Sequence, residues 1–212
     1  LIFFTGGVGG GKAVMKAAAD IPVPVLLELG GKDPMIVFRD ADLGRAARAA
    51  VWGAFAHDGQ HCISVERAYV HREVHDAFVE AVEGLVSQLE RGRDLAADLD
   101  ERVRERCTAQ VKQATSAGAR MVTPETDGKP VFPAVLTGVT HDMALMREET
   151  FGPVLPIMPF ENEAEAIELA NDCPFALNAS IWTRNPAVGS RVASKVEAGS
   201  AVVNGVLTNA GH

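Results

Sequence analysis

Short apolar runs and longer amphipathic segments follow one another along the 212-residue chain. Apolar runs of a few residues, bounded by glycine or proline, are typical of buried strands. They predict strands at 1–5, 25–29, 35–38, 67–71, 120–122, 132–136, 154–159, 179–182 and 200–204. Apolar positions at helical spacing predict helices at 12–19, 43–55, 74–89, 99–117, 163–171 and 186–196. The glycines at 6–11 predict a turn before the first helix.

The order of these elements predicts the fold class. Strands alternate with helices along most of the chain. In such chains the strands form a parallel sheet and the helices cover it. We therefore predict an α/β fold with an open, mostly parallel, twisted sheet and helices on both faces. Asp40 and Asp42 precede the helix at 43–55 and are predicted to cap it.

Composition and charge exclude several classes of protein. Hydrophobic residues make up 47% of the chain and charged residues 23%, as in ordinary globular domains. A formal charge of −8 disfavours binding to nucleic acids and to anionic membranes. No apolar run reaches the roughly 18 residues that a membrane-spanning helix needs. We therefore expect neither a nucleic-acid partner nor a membrane anchor, and we find no pattern of a signal peptide.

The cysteine content indicates the redox setting. Cys62, Cys107 and Cys173 are too few and too scattered for a disulfide framework or a zinc site. We therefore predict no metal site and a reducing, cytoplasmic location. The chain also begins directly within a predicted strand, so we expect it to be a piece of a longer protein.

Cys62 is the first candidate for chemistry. It ends the sequence GQHC at 59–62, directly after a predicted helix. A thiol with a pKa near 8.5 is only a few per cent ionised at neutral pH, so a catalytic cysteine needs activation. Backbone amides of this loop could lie close to the sulfur and to a developing oxyanion. The alternative is a buried, inert cysteine. We do not expect a dyad with His61, because sequence neighbours usually point apart.

Glu28 is the second candidate, at the end of a mostly apolar strand. A buried carboxylate is costly unless it is neutralised or paired. Burial would raise the pKa of Glu28 towards that of a general base, which could activate water or take the proton of Cys62. The alternative is an ion pair with Lys32.

Glu149 and Phe151 form the third candidate. A carboxylate can accept hydrogen bonds from both hydroxyls of a ribose, and an aromatic ring can pack on a nicotinamide. The alternative is a helix cap followed by a core phenylalanine. The glycine-rich sequence at 6–12 is not a phosphate-binding loop of the G-x-x-x-x-G-K-[ST] type, because Ala13 stands where serine or threonine is required. A helix N-terminus beside a pyrophosphate fits it better.

Several segments together resemble a known family. These are FTG at 4–6, ELGGK at 28–32, GQHC at 59–62 with Arg67 after it, ETFGP at 149–153 and GSAVVN at 199–204. In this order, and over nearly the whole chain, they resemble successive motifs of the aldehyde dehydrogenase superfamily. The family often has a serine where Gly7 stands and commonly an asparagine where His57 stands.

The resemblance implies a function. Cys62 would form a thiohemiacetal with an aldehyde, NAD+ or NADP+ would accept a hydride, and Glu28 would help to hydrolyse the resulting thioester to a carboxylic acid. The cofactor would be bound by Gly6, Gly7, Leu29, Glu149 and Phe151. The alternatives are a coenzyme A-acylating aldehyde dehydrogenase and a catalytically silent structural or interaction domain.

The resemblance also implies a division of the chain. Residues 1–30 would be the tail of an NAD(P)-binding Rossmann-like domain, and residues 31–212 most of a catalytic domain. The full-length parent enzyme would be a homo-oligomer, a dimer or a tetramer.

Overall fold

Strands and helices alternate in the computed structural model, which describes residues 1–126 and 129–207. The strands are β1 (Ile2–Thr5), β2 (Val25–Glu28), β3 (Asp33–Val37), β4 (Val65–His71), β5 (Arg120–Met121), β6 (Glu125–Thr126), β7 (Lys129–Pro130), β8 (Ala134–Thr137), β9 (Val154–Phe160), β10 (Asn178–Trp182) and β11 (Ser200–Val203). The helices are α1 (Val8–Ala19), α2 (Leu43–Phe55), α3 (Arg72–Val86), α4 (Glu101–Ser116), α5 (Ala144–Arg147), α6 (Glu163–Asn171) and α7 (Pro186–Ala193).

The main sheet has seven strands in the order β11-β10-β3-β4-β9-β8-β5. Its neighbouring strands are parallel, except that β5 runs antiparallel to β8. Strands β1 and β2 form a separate two-stranded parallel sheet, and β6 pairs with β7 in an antiparallel hairpin. The predicted α/β class with a mostly parallel sheet is confirmed.

Both faces of the main sheet are covered by helices. Strand β3 shows this most clearly, because successive residues of a strand point to opposite faces. Met35 and Val37 pack in one apolar cluster with α2 and α3, and Ile36 packs in another with α4, α6 and α7. All three side chains are fully buried, which stabilises the fold by roughly 1.5–3 kcal/mol for each. Among the described helices, none is both long enough and apolar enough to cross a bilayer.

Helix α1 begins earlier than predicted, at Val8, so the predicted turn at 6–11 and the predicted helix start at 12 are wrong. The glycines permit close packing of the helix on β1 and β2. A Cβ on Gly11 would lie 2.7 Å from the side chain of Leu29, and one on Gly10 would lie 2.8 Å from the ring of Phe4. Gly9, Gly10 and Gly11 therefore belong to the first turn of α1, and Gly6 and Gly7 precede it.

Short elements and one cap also differ from the prediction. Helix α5 and the β6–β7 hairpin were not predicted, because elements of two to four residues carry too little periodicity. Asp42 caps α2 as predicted, its carboxylate accepting from the Arg45 amide at 3.0 Å. Asp40 does not cap this helix, since its carboxylate accepts from the Thr183 hydroxyl at 2.8 Å. The last five residues of the predicted catalytic domain, 208–212, lie outside the described residues.

Candidate active site

Segments that are distant in sequence line one cavity of about 540 Å³. They are the ends of β1 and β2, the loop between α2 and β4, one position of α4, and the segment before β9. The lining residues are Thr5, Gly6, Gly7, Glu28, Leu29, Gly30, Gln60, His61, Cys62, Arg106, Glu149 and Phe151. The cavity therefore brings together all of the residues for which the sequence predicted a role in catalysis or cofactor binding. It lies beyond the carboxyl ends of the parallel strands β1 and β2, a place where α/β proteins commonly bind ligands, and beyond the amino ends of β4 and β9.

The loop that carries Cys62 starts from an unusual turn. After α2, the backbone is left-handed at three successive residues, with φ of 52° at His57, 55° at Asp58 and 67° at Gly59. A Cβ on Gly59 would lie 2.4 Å from the carbonyl oxygen of Gly152, so this approach requires glycine. The turn ends α2 and directs the following residues into the cavity.

The side chain of Asp58 stabilises this turn by hydrogen bonds to the segment at 91–96. This side chain is buried, and its carboxylate accepts from Arg91 Nη1 at 3.0 Å and from the Ala96 amide at 3.1 Å. A left-handed backbone costs about 1–2 kcal/mol for each non-glycine residue. These contacts offset part of that cost and fix the loop in one conformation.

Cys62 is exposed at the cavity, and the pKa of its thiol is raised. Although the side chain reaches the surface, its partial burial raises the pKa of Cys62, and the charges of Asp33 and Glu28 raise it further. Hydrogen bonds from the amides of Cys62 and Ile63 oppose this rise.

His61 lies beside the thiol, contrary to the prediction that the two side chains point apart. Its Nδ1 atom is 3.9 Å from Cys62 Sγ. The same nitrogen accepts a hydrogen bond from the Ile63 amide at 3.3 Å. The tight loop folds the imidazole back over its own backbone, which brings it to the sulfur.

Glu28 is exposed at the end of β2, so the predicted burial of its carboxylate is wrong. The alternative of an ion pair with Lys32 is wrong as well. Lys32 Nζ is buried and lies 2.8 Å from Glu66 Oε2. Glu28 therefore faces the cavity and solvent, close enough to Cys62 to affect the pKa of the thiol.

Glu149 lies against the backbone of the two glycines that follow β2. Its Oε1 atom accepts from the Gly31 amide at 3.2 Å. A Cβ on Gly30 would lie 2.0 Å from the same oxygen, so only glycine allows this approach. The carboxylate is half-buried, and this burial, with the nearby charge of Glu66, raises the pKa of Glu149.

The sequence did not reveal Arg106, which lines the cavity, or Asp33, a buried acid whose charge acts on Cys62. Arg106 comes from α4 and donates to the carbonyl oxygens of Thr150 at 2.7 Å and Phe151 at 3.0 Å. Asp33 is 1% exposed, and burial raises the pKa of its carboxyl to about 8. Neither lies in a motif with a recognisable spacing. Their positions depend on how the helices and strands pack.

The chain belongs to the aldehyde dehydrogenase family, whose family model matches residues 1–211. It is 47% identical over 217 residues to a 4,4'-diapolycopene aldehyde oxidase of a Methylomonas species, covering 100% of this chain and 41% of that protein. The structure of lactaldehyde dehydrogenase from Escherichia coli matches with a TM-score of 0.90 and 34% identity, over 98% of this chain and 46% of that one.

A third match is a betaine aldehyde dehydrogenase from Staphylococcus aureus, whose structure was determined in complex with NAD+. It is 32% identical with a TM-score of 0.87, over 96% of this chain and 43% of that one. The chain thus spans less than half of the length of each of these three relatives.

Proposed function

We propose that this chain is the catalytic part of a longer enzyme that oxidises an aldehyde to a carboxylic acid with NAD+ or NADP+. One observation carries the proposal. A thiol, a solvent-accessible carboxylate and an acid–aromatic pair, all distant in sequence, line the same cavity. Membership of the aldehyde dehydrogenase family supports it.

The proposal includes the division of the chain into two parts. Residues 1–30 contribute to the cofactor domain, and residues 31–212 form most of the catalytic domain. The separate pairing of β1 with β2 supports this boundary. So do the exposed apolar side chains of that unit, since Phe3 is 65% exposed and Leu26 46% exposed. Such side chains on neighbouring strands are typical of a surface that further structure covers.

The cavity has groups that fit a nicotinamide dinucleotide. Gly6 and Gly7 lead into the N-terminus of α1, where free amides suit a pyrophosphate. A Cβ on Gly7 would meet no described atom within 4 Å, so there is room for a ligand beside this backbone. Glu149 would hold ribose hydroxyls, Phe151 would pack on the nicotinamide, and Leu29 would line the same site. When bound, NAD(P)+ supplies the hydride acceptor.

Cys62 is the nucleophile in this proposal. Its thiolate adds to the carbonyl carbon of the aldehyde and gives a thiohemiacetal, whose oxidation leaves a thioester on the sulfur. The neighbouring amides of Cys62 and Ile63 stabilise negative charge at the sulfur. Because the pKa of the free thiol is raised, the reactive thiolate needs a base.

Glu28 is the general base. Its exposed position gives the carboxylate access to water, from which it removes a proton as the water attacks the thioester. This step releases the carboxylic acid and returns the thiolate of Cys62. A carboxylate at this place favours water over coenzyme A as the acceptor, which argues against the acylating alternative. The collection of all these groups in one cavity argues against a silent domain.

The first test is Cys62→Ala in the full-length enzyme. The variant should lose aldehyde oxidation while its affinity for NAD(P)+ stays within about twofold, because alanine removes the nucleophile and little else. NADH formation and cofactor binding are measured separately. Cys173→Ala, a half-buried cysteine away from the cavity, is the control and should stay active. Substantial turnover by Cys62→Ala would exclude the assignment.

The second test is Glu28→Gln, which removes the base and keeps the shape. Steady-state turnover should fall by roughly 10²–10⁴, as for the loss of a general base. If Glu28 acts chiefly in deacylation, an initial burst of NADH remains and separates this variant from Cys62→Ala. Glu80→Gln on the exposed face of α3 is the matched control. An unchanged steady-state rate would mean that Glu28 is not the base.

Two further expectations stay predictions. A reducing, cytoplasmic setting rests on the three free cysteines. Assembly of the full-length enzyme into a dimer or tetramer rests on the family resemblance and can be measured by light scattering.

A further inference from the structure

A buried carboxylate that has no part in the proposed chemistry joins the three segments of the site. Glu66 of β4 is 3% exposed and lies four residues after the nucleophile. Its Oε2 atom accepts from Lys32 Nζ at 2.8 Å and from the Thr150 amide at 2.8 Å. Its Oε1 atom accepts from the Phe151 amide at 2.7 Å. We call Glu66, Lys32 and the amides of residues 150 and 151 the Glu66 clamp.

Lys32, the other charged member of the Glu66 clamp, belongs to the segment 28–32, which also carries the proposed general base Glu28. Its ammonium is 1% exposed, and besides Glu66 it donates to Thr150 Oγ1 at 2.9 Å. Burial lowers the pKa of Lys32, and the adjacent Glu66 carboxylate opposes this shift. A buried pair of charges stabilises a fold weakly, because desolvation offsets most of the attraction. A contribution to the stability of the fold therefore does not by itself explain why these two charges are buried together.

The clamp holds a strained piece of backbone. Phe151 has a φ of 46°, in the left-handed region that costs a bulky residue about 1–3 kcal/mol. Such a conformation persists only where the surroundings over-determine it. Glu66 grips the two amides on one side of this peptide unit, and Arg106 donates to the two carbonyl oxygens, at 2.7 and 3.0 Å.

The strained backbone determines what faces the cavity. Phe151 lines it directly, and Glu149 lies two residues earlier with its carboxylate on the Gly31 amide. Lys32 follows that same glycine. The clamp therefore fixes the backbone that carries both proposed cofactor contacts.

We propose that Glu66 and Lys32 are positioning residues that hold Glu149 and Phe151 in the geometry for binding the nicotinamide end of NAD(P)+. The proposal rests on the proposed function for the identity of the ligand. It assigns neither residue a contact with substrate or cofactor. Their effect passes through the backbone of residues 149–151.

The test uses Glu66→Gln in the full-length enzyme, with two readouts. Glutamine keeps the shape but offers one acceptor oxygen for three donors, so one of the two amides loses its partner. Hydrogen exchange of the peptide that contains 149–152, measured without cofactor, should become about tenfold faster or more. The Kd for NAD+ or NADP+, whichever the wild type prefers, should rise by about tenfold in fluorescence titration, and the KM for the aldehyde should change less.

A merely structural role gives a different pattern. General destabilisation would speed exchange in the core strand β10 as well, and would lower the amount of active enzyme without a selective change in cofactor affinity. Glu73→Gln is the control, because its carboxylate is exposed and forms a surface ion pair with Arg39. If Glu66→Gln does not fold, Glu66→Asp, which keeps the charge but shortens the reach, is judged by the same criteria.

The proposal is overturned if exchange at 149–152 stays within twofold of the wild type. It is also overturned if this exchange accelerates while the cofactor Kd stays within twofold. Failure of the proposed function has another signature, since the wild type itself would then not reduce NAD(P)+ with any aldehyde. The exchange measurement on the cofactor-free protein still tests the clamp in that case.

Discussion

Two carboxyl groups in one short segment, those of Glu28 and Asp33, have opposite surroundings. Glu28 faces the cavity and solvent. Asp33 is 1% exposed, and one of its oxygens accepts from the Asn178 amide at 3.2 Å. Among the described residues, its Oδ2 atom has no hydrogen-bond partner. At this scale, burial separates a solvated candidate base from an acid whose pKa is raised to about 8.

The raised pKa of Asp33, about 8 against 3.8 for the free side chain, predicts how stability depends on pH. The folded state holds this proton more tightly than the unfolded state. The contribution of Asp33 to stability therefore falls as the pH rises from about 4 to about 8. Asp33→Asn changes the free energy of unfolding relative to the wild type. This change should be more favourable at pH 8 than at pH 4, by at least about 1 kcal/mol.

Urea denaturation of both proteins at several pH values measures this difference. The amide oxygen that Asp33→Asn introduces can still accept from the Asn178 amide, so the substitution removes the ionisation and keeps the hydrogen bond. Asp172→Asn is the control, at an exposed carboxylate whose pKa is lowered by its hydrogen bond with Arg147. Its effect on the free energy of unfolding should change with pH in the opposite direction. A difference between Asp33→Asn and wild type that is the same at all pH values would contradict the prediction.

At the scale of elements, the turn between α2 and the Cys62 loop is the most constrained connection of the site. Three successive left-handed residues stop the helix, and the carboxylate of Asp58 holds them. His57 is the first of them and stands where the family commonly has an asparagine. Asparagine adopts the left-handed region more readily than most other residues.

The effect of a substitution at His57 on stability should therefore depend on how readily the new residue adopts positive φ. His57→Asn should raise the free energy of unfolding by about 0.5–1 kcal/mol, because asparagine recovers part of the roughly 1–2 kcal/mol that a left-handed backbone costs. His57→Val should lower it by at least about 1 kcal/mol, because a β-branched side chain is the least suited to positive φ. Thermal or urea denaturation measures both. His75→Asn in the regular helix α3 is the control, where no gain is expected. Equal stability of the two His57 variants would refute this account of the turn.

At the scale of the whole molecule, the β1–α1–β2 unit exposes a set of large apolar side chains. They are Leu1, Phe3, Met15, Ile21 and Leu26, all between 46% and 84% exposed. The chain spans less than half of the length of the relatives described above. Both observations support a longer enzyme, in which further structure completes the cofactor site.

We therefore expect residues 1–212 alone to produce no NADH from a simple aldehyde. In the proposed site, Glu149, Phe151 and the N-terminus of α1 would contact only part of a dinucleotide, and binding needs the adenosine end as well. Cys62 should still react with iodoacetamide, because it is exposed. Absorbance at the NADH band measures the first outcome and mass spectrometry the second. The full-length enzyme is the control. Saturable NAD(P)+ reduction by the isolated chain would show that this expectation is wrong.

Much of the architecture follows from the sequence by itself. The helix at 43–55 and the helix at 163–171 have the predicted ends. A capping side chain, Asp42 or Asn162, stands directly before each of them and is readable from the sequence. The predicted start of α1 was wrong, because glycine is a poor helix former. Glycines are favoured there because they allow α1 to pack closely on the unit of β1 and β2, which the local sequence does not show. The β6–β7 hairpin is too short to carry a pattern.

The sequence determined the α/β class and the candidate groups Cys62, Glu28, Glu149 and Phe151, because each lies in a compact motif whose residue types are readable locally. Only the tertiary structure decided their surroundings. It exposed Glu28, buried Asp33, and paired Lys32 with Glu66 rather than with Glu28. These outcomes depend on contacts between residues far apart in the chain. Burial and charge pairing are properties of those contacts, so local patterns do not contain them.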